Sequence, residues 1–193
     1  MWANNELLCA KFSQGLSYED FVELGRPEGH DGPWRQRYSQ LELTSAQHEL
    51  VGSFVRPMNI LCLTGTWCGD CALQGSAMHR VAQANPDKLN LRFVLRCDEH
   101  ADLIVKSQIN AGYRVPVTWF LSEDFQLVSC FGDRTLSRYR SMALKALGPQ
   151  ETASMAPPPS DPVRRVLQEV LDEFERVALL LRLSTRLRQK HGD

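Results

Sequence analysis

Cys68 and Cys71 stand three residues apart in the run Trp67-Cys68-Gly69-Asp70-Cys71, a spacing that serves either reversible disulfide exchange or metal ligation. At the start of a helix, one turn brings positions i and i+3 onto the same face and two sulfurs into reach of each other. Unpaired backbone N–H groups and the positive end of the helix dipole stabilise negative charge at that point. Cys68, the outer residue, is therefore expected to be the better thiolate, with Cys71 deeper in the first turn. In the redox reading Cys68 attacks a substrate disulfide, and Cys71 then displaces the reduced substrate and leaves an intramolecular disulfide. In the metal reading, Cys97-x2-His100 joins Cys68 and Cys71 as the second half of a tetrahedral zinc site. The folding pattern gives that set some support, because parallel strands ending before Cys68 and near Cys97 would finish on the same sheet edge.

The elements around the pair must hold that turn in place. Asn59-Ile60-Leu61-Cys62-Leu63-Thr64 is the short apolar run required of a strand buried on both faces. Residues 67–84 then take helical spacing, with Cys71, Ala72, Met78, Val81 and Ala82 near one stripe, and Asn85-Pro86 ends the helix. Leu91, Phe93, Leu95 and Cys97 alternate with Arg92, Val94 and Arg96, which predicts a second strand with one less protected face and completes a right-handed βαβ unit. A helical stretch near 102–111 precedes two apolar runs, 117–121 and 127–131, joined by a polar turn as a hairpin. Residues 135–147 form a further helix.

Outside this unit, residues 16–54 read as helical with turn punctuation. Ser17 with Asp20 and Thr44 with Gln47 have capping-box-like spacing, and residues 25–34 read as a loop between them. Pro157-Pro158-Pro159 marks a linker. Asp161 then caps a helix with Pro162 at its first position, and its stripe of Val163, Val166, Leu167, Val170, Leu171, Phe174, Val177, Ala178 and Leu181 demands a cover. The same chain is the commoner cover and a homodimer partner the sharper alternative. The chain thus divides into a helical N-terminal extension (1–42), an α/β domain (43–147), a Pro-rich linker (148–161) and a C-terminal amphipathic helix (162–193).

Composition bounds the function. With 22 basic and 23 acidic residues among 193, the formal net charge is −1, and no whole-chain field attracts nucleic acid or an anionic membrane. No apolar run is long enough to cross a bilayer. The first residues carry no basic segment ahead of Leu7-Leu8-Cys9-Ala10, so a secretory signal is not expected and the cytoplasm is the expected compartment. There the six cysteines stay mostly reduced, and a close pair is catalytic or metal-binding rather than a staple. Cys9, Cys62, Cys97 and Cys130 are read as small hydrophobes, and Arg134, Arg138 and Arg140 as a solvated helix face.

Trp67-Cys68-Gly69-Asp70-Cys71 after an apolar strand, followed by Val115-Pro116 before a strand pair, resembles the thioredoxin superfamily, in particular its bacterial thioredoxin-like branch with a WCGDC site. The resemblance covers residues 59–147. It implies a central mixed sheet flanked by helices and a cis peptide at Val115-Pro116 facing the cysteines, where backbone is offered to an extended substrate. Trp67 and Gly69 then contact substrate beside the sulfurs, and Gly132 resembles the glycine lining the same groove. It also implies disulfide-containing protein or small-molecule substrates and a thioredoxin-reductase-like electron donor. No bound cofactor is needed, since the dithiol carries the electrons.

Two departures stand out. The buried Asp that thioredoxins commonly carry six residues before the first cysteine is Cys62 here, and the residue before the second cysteine is Asp70 instead of proline. Asp70 either takes over proton transfer with Cys71 or serves as a helix-start carboxylate. A binding or assembly module that keeps the fold without redox turnover is the alternative of a different class.

Overall fold

A computed structural model describes residues 4–152, 156–157 and 160–192. Helices α1 (Asn5–Gln14), α2 (Tyr18–Leu24), α3 (Asp31–Ser39) and α4 (Ser45–Gly52) precede strand β1 (Met58–Thr64), and helix α5 (Gly69–Gln83) follows it directly. Strand β2 (Leu89–Leu95), the short helix α6 (Ala101–Ile104), strands β3 (Val117–Leu121) and β4 (Leu127–Phe131) and helix α7 (Leu136–Leu147) complete the α/β unit. Helices α8 (Pro162–Leu183) and α9 (Thr185–His191) end the described chain.

The strands lie in the order β2-β1-β3-β4, with β1 parallel to β2 and β3 antiparallel to both β1 and β4. This is the predicted mixed sheet flanked by helices. Strand β1 has neighbours on both edges and is buried along its whole length, which explains a run with hardly a polar residue. Its end at Thr64 pairs with Leu95 at the end of β2, so the turn carrying Cys68 leaves the sheet at the carboxyl ends of two parallel strands.

Both N-caps form, but only the second is a reciprocal box. Ser17 accepts a bond from the Asp20 N–H at the start of α2, and Thr44 with Gln47 closes a reciprocal box on α4. The predicted loop at 25–34 is too long. It ends at His30, because α3 begins at Asp31 and takes Pro33 into its first turn, where a missing N–H costs no helical bond. The helix expected near 102–111 is equally overdrawn: α6 stops at Ile104, and Asn110 and Ala111 take positive φ angles of 49° and 56° that no helix contains.

Helix α5 is buried on more than one side because α3, α8 and the sheet all pack on it. Gly75 makes the α3 contact work: a Cβ there would fall 2.6 Å from the Trp34 ring and 3.3 Å from that of Phe93. The ring cannot yield easily. Trp34 is fully buried, meets Phe21 edge-on with centroids 5.3 Å apart, and donates its indole N–H to the Thr66 carbonyl at 2.9 Å. Further along α5, His79 stacks on Tyr18 with centroids 4.0 Å apart and so joins this aromatic layer.

Asp161 caps α8 as expected, its side chain accepting from the Arg164 N–H, with Pro162 in the first turn. The apolar stripe is covered by the same chain, through α5, α7 and β4. Phe174 meets Phe120 edge-to-face at 5.2 Å beneath it. The predicted single helix over 162–193 is split at Ser184, whose side chain caps α9. Residues 153–155 and 158–159 of the predicted linker lie outside the described residues. Among the described residues, no helix is long and apolar enough to cross a membrane.

If α8 is part of the core rather than an appendage, Phe174→Ala lowers the unfolding free energy by about 3–5 kcal/mol, the usual cost of emptying a buried phenylalanine site. Urea unfolding measures it, with a single transition retained; a loss below about 1 kcal/mol would mean that α8 does not share the core.

Candidate active site

Strand β1 ends at Thr64, and Gly65-Thr66-Trp67 carries the chain over to α5. The Trp67 ring lies back across Gly65 so closely that a Cβ there would sit 2.8 Å from the ring. Any other residue would displace the indole, which is half-exposed beside the cysteines. Thr66 is held from the N-terminal extension: its carbonyl takes the Trp34 bond, and its hydroxyl lies 3.1 Å from His30 Nδ1.

Cys68 is the N-cap of α5. Its sulfur accepts from the Cys71 N–H at 3.3 Å and lies 3.9 Å from the Val115 carbonyl oxygen. The Val115-Pro116 peptide is cis, as the resemblance implies, and it faces the outer sulfur. The two sulfurs occupy different depths. Cys68 is half-buried, whereas Cys71 is completely buried, and all six cysteines are free thiols.

That difference sets their acidities. A hydrogen bond from the Cys71 thiol, helped by the Cys71 and Asp70 backbone N–H groups, brings Cys68 down to about 7 against the opposing effects of burial and the Asp70 charge. Burial pushes Cys71 far up, and the hydrogen bond to Cys68 and the Cys68 charge push it the same way. The Thr64 hydroxyl and the Gly65 N–H favour the Cys71 thiolate, but burial outweighs them. Thr64 is wholly buried, and its hydroxyl has no standard hydrogen-bond partner among the described residues. Sequence reasoning passed over it as one more residue of an apolar strand. Cys62, where thioredoxins commonly carry an acid, is buried beside Thr118 and pushed up to about 12, so it stays protonated at neutral pH.

The Asp70 carboxylate is gripped by two arginines. One carboxylate oxygen accepts from Arg134 Nε at 2.7 Å and the other from Arg138 Nε at 2.5 Å, so both are committed to guanidinium donors at the start of α7. Arg138 is solvent-exposed, as a solvated face requires, but it and the half-buried Arg134 also tie the start of α7 to the first turn of α5. Arg134 reaches on to Asp133, which accepts from Arg114 and from the Tyr139 hydroxyl as well. Gly69 sits exposed between the cysteines. Gly132 lies beside α5, its carbonyl accepting from Gln74 Nε2 at 3.2 Å.

The predicted zinc set is not assembled. Among the described residues the ligand atoms that gather are those of Cys97, Glu99 and His100, within 4.8 Å of one another, without Cys68 or Cys71. The Lys11 ammonium lies 3.2 Å from His100 Nδ1 and donates to the Glu99 carbonyl, so this corner is engaged in fastening α1 to the loop after β2.

A helix-capping cysteine, a buried partner one turn on and a facing cis-proline, on a mixed sheet between helices, define a thioredoxin-fold protein. The Thioredoxin family model matches residues 15–143, and the chain belongs to that family. No curated protein matches it. Among solved structures, a protein of unknown function from Pseudomonas aeruginosa is similar at 21% identity and TM-score 0.62, over 90% of this chain and 98% of its own. An HIV epitope-scaffold is similar at 20% identity and TM-score 0.61, over 86% of this chain and 95% of its own. At such identities the likeness is one of fold, and it extends across the added helices.

Because the Asp70 charge opposes the Cys68 thiolate while Arg134 and Arg138 partly offset it, Asp70→Asn removes the opposition and leaves both cations. The Cys68 pKa then falls, by up to about one unit relative to the same protein with Asp70. The pH dependence of alkylation by iodoacetamide in a Cys71→Ser background, with and without the substitution, measures the change. An upward shift would reverse the assignment of charges.

Proposed function

We propose that the protein is a thiol-disulfide oxidoreductase of the bacterial thioredoxin-like branch with a WCGDC site, and that it reduces protein or small-molecule disulfides. The observation that carries this reading is the unequal pair at the start of α5: Cys68 half-buried and lowered to about 7, Cys71 buried and protonated. At neutral pH about half of Cys68 is thiolate, which suits an attacking thiol whose pKa lies near the ambient pH.

In the first step the Cys68 thiolate attacks one sulfur of the substrate disulfide. A Cys68–substrate S–S bond forms, the substrate S–S bond breaks, and the departing thiolate takes a proton from solvent. In the second step Cys71 gives up its proton and attacks Cys68 Sγ; the Cys68–Cys71 bond forms and the second substrate sulfur leaves as a thiol. Two electrons pass from the dithiol to the substrate. A thioredoxin-reductase-like donor, or another external dithiol, returns them. Trp67, Gly69, Val115, Pro116 and Gly132 are the proposed substrate contacts, with the Val115 backbone next to the attacking sulfur. Reduction as the working direction fits a reducing compartment such as the cytoplasm.

Cys71→Ser removes the resolving thiol and is expected to accumulate a mixed disulfide at Cys68 with a disulfide-bearing peptide. The wild type instead releases the peptide thiol and keeps a Cys68–Cys71 disulfide, which mass spectrometry reads directly. The rate of the first step rises with pH through about 7 as Cys68 ionises and then levels off. If Cys68 exchanges with neither peptide nor glutathione disulfide, the protein is a binding module on this fold and not an oxidoreductase.

A further inference from the structure

A cavity of about 370 Å³ opens beside the first turn of α5. Its walls come from four helices: Arg37 from α3, Gly69, Asp70 and Leu73 from α5, Arg138 from α7 and Val166 from α8. Three of those helices lie outside the strand-turn-helix that carries the cysteines, and the cavity exists only because they converge there. The wall begins one residue after Cys68.

The charges in the wall are unequal. Asp70 contributes one carboxylate, whose two oxygens are taken by Arg134 and Arg138. Two arginines, Arg37 and Arg138, line the same space. Arg37 is half-buried, and among the described residues its hydrogen bond goes to the neutral side chain of Gln40, at 3.0 Å. One positive charge is therefore left without a carboxylate partner in a partly enclosed space. Leu73 and Val166 supply an apolar floor. A guanidinium fork over an apolar patch suits a carboxylate on a short carbon arm.

We infer that this cavity is a subsite for a carboxylate-bearing ligand and, resting on the redox reading above, that it holds the acidic arm of a small organic disulfide while the disulfide meets Cys68. The protein then prefers acidic disulfides to neutral ones of the same size. The added helices build this selectivity beside the cysteines, on a flank that the facing cis-proline does not occupy.

The test separates binding from exchange. In a Cys68→Ser/Cys71→Ser variant, which cannot exchange, dithiodipropionate is titrated and followed by amide shifts in NMR, with bis(2-hydroxyethyl) disulfide as the neutral control. The dianion is expected to move the amides of Gly69, Asp70 and Val166 and to bind less tightly as salt is raised. Arg37→Gln in the same background weakens it by about threefold to fivefold, the scale of one partly exposed ion pair, and Arg37→Lys retains most of the binding. In the otherwise unaltered protein, Arg37→Gln lowers the ratio of kcat/KM for the dianion over the neutral disulfide by a similar factor. Equal binding of the two disulfides, or binding of the dianion that Arg37→Gln leaves unchanged, overturns the subsite whether or not exchange occurs. Binding at these amides without exchange in the wild type instead removes the redox reading and leaves the subsite.

Discussion

Depth separates the two sulfurs, and the rest of the site depends on that separation. Cys71 lies wholly inside the protein, where a thiolate without compensating charge is costly. It therefore stays a thiol and donates to Cys68, and that bond, together with the backbone N–H groups of the first turn, makes the outer sulfur acidic. Moving the start of α5 outward by one turn would solvate both cysteines and cost the pair its inequality. Burying it further would remove Cys68 from solvent.

The added helices act on this constraint. Trp34 of α3 holds the Thr66 carbonyl, two residues before Cys68, and is itself locked against Gly75 of α5 and the rings of Phe21 and Phe93. The loop before the cysteines is thus tied to the helix after them through a residue distant in sequence. On the other flank, Arg134 and Arg138 grip Asp70, and α8 covers the outer side of α5. An isolated strand-turn-helix could place two cysteines together, but it could not seal Cys71 from water. Here α3 and α8 from the two extensions pack on the helix that carries Cys71.

Much of the fold was legible because local chemistry and burial agreed. An apolar run bounded by polar turns became β1, a Ser17 cap began α2, a reciprocal Thr44–Gln47 cap began α4, and Asp161-Pro162 began α8. The misreadings have physical causes. Gly32 and Pro33 look like turn residues, yet both are tolerated in the first turn of α3, and only the buried indole of Trp34 reveals a helix packed on the core. The pattern near 102–111 has helical spacing but too few buried residues to sustain a helix beyond α6. In the site, Cys68, Cys71 and the cis Val115-Pro116 could be placed from sequence. The partners of Asp70 could not, because Arg134 and Arg138 are 64 and 68 positions away and the pairing depends on where α7 docks. Thr64 was equally hidden, since what distinguishes it is a buried hydroxyl beside Cys71 and not its place in a motif.

The missing acid raises the question of how Cys71 loses its proton. Cys62, pushed up to about 12, is no base at neutral pH, and Asp70 is held by two arginines. Two of the causes that raise Cys71 are the hydrogen bond to Cys68 and the Cys68 charge. Both vanish when Cys68 becomes part of a mixed disulfide, because that sulfur is then neutral and no longer a strong acceptor. Only burial then holds Cys71 protonated, while the Thr64 hydroxyl and the Gly65 N–H continue to favour its thiolate. The inner cysteine is therefore least acidic while the outer one is free and becomes more acidic once the outer one has reacted. In the proposed reaction a dedicated base is then less necessary, because the first covalent step would itself ready Cys71 for the second.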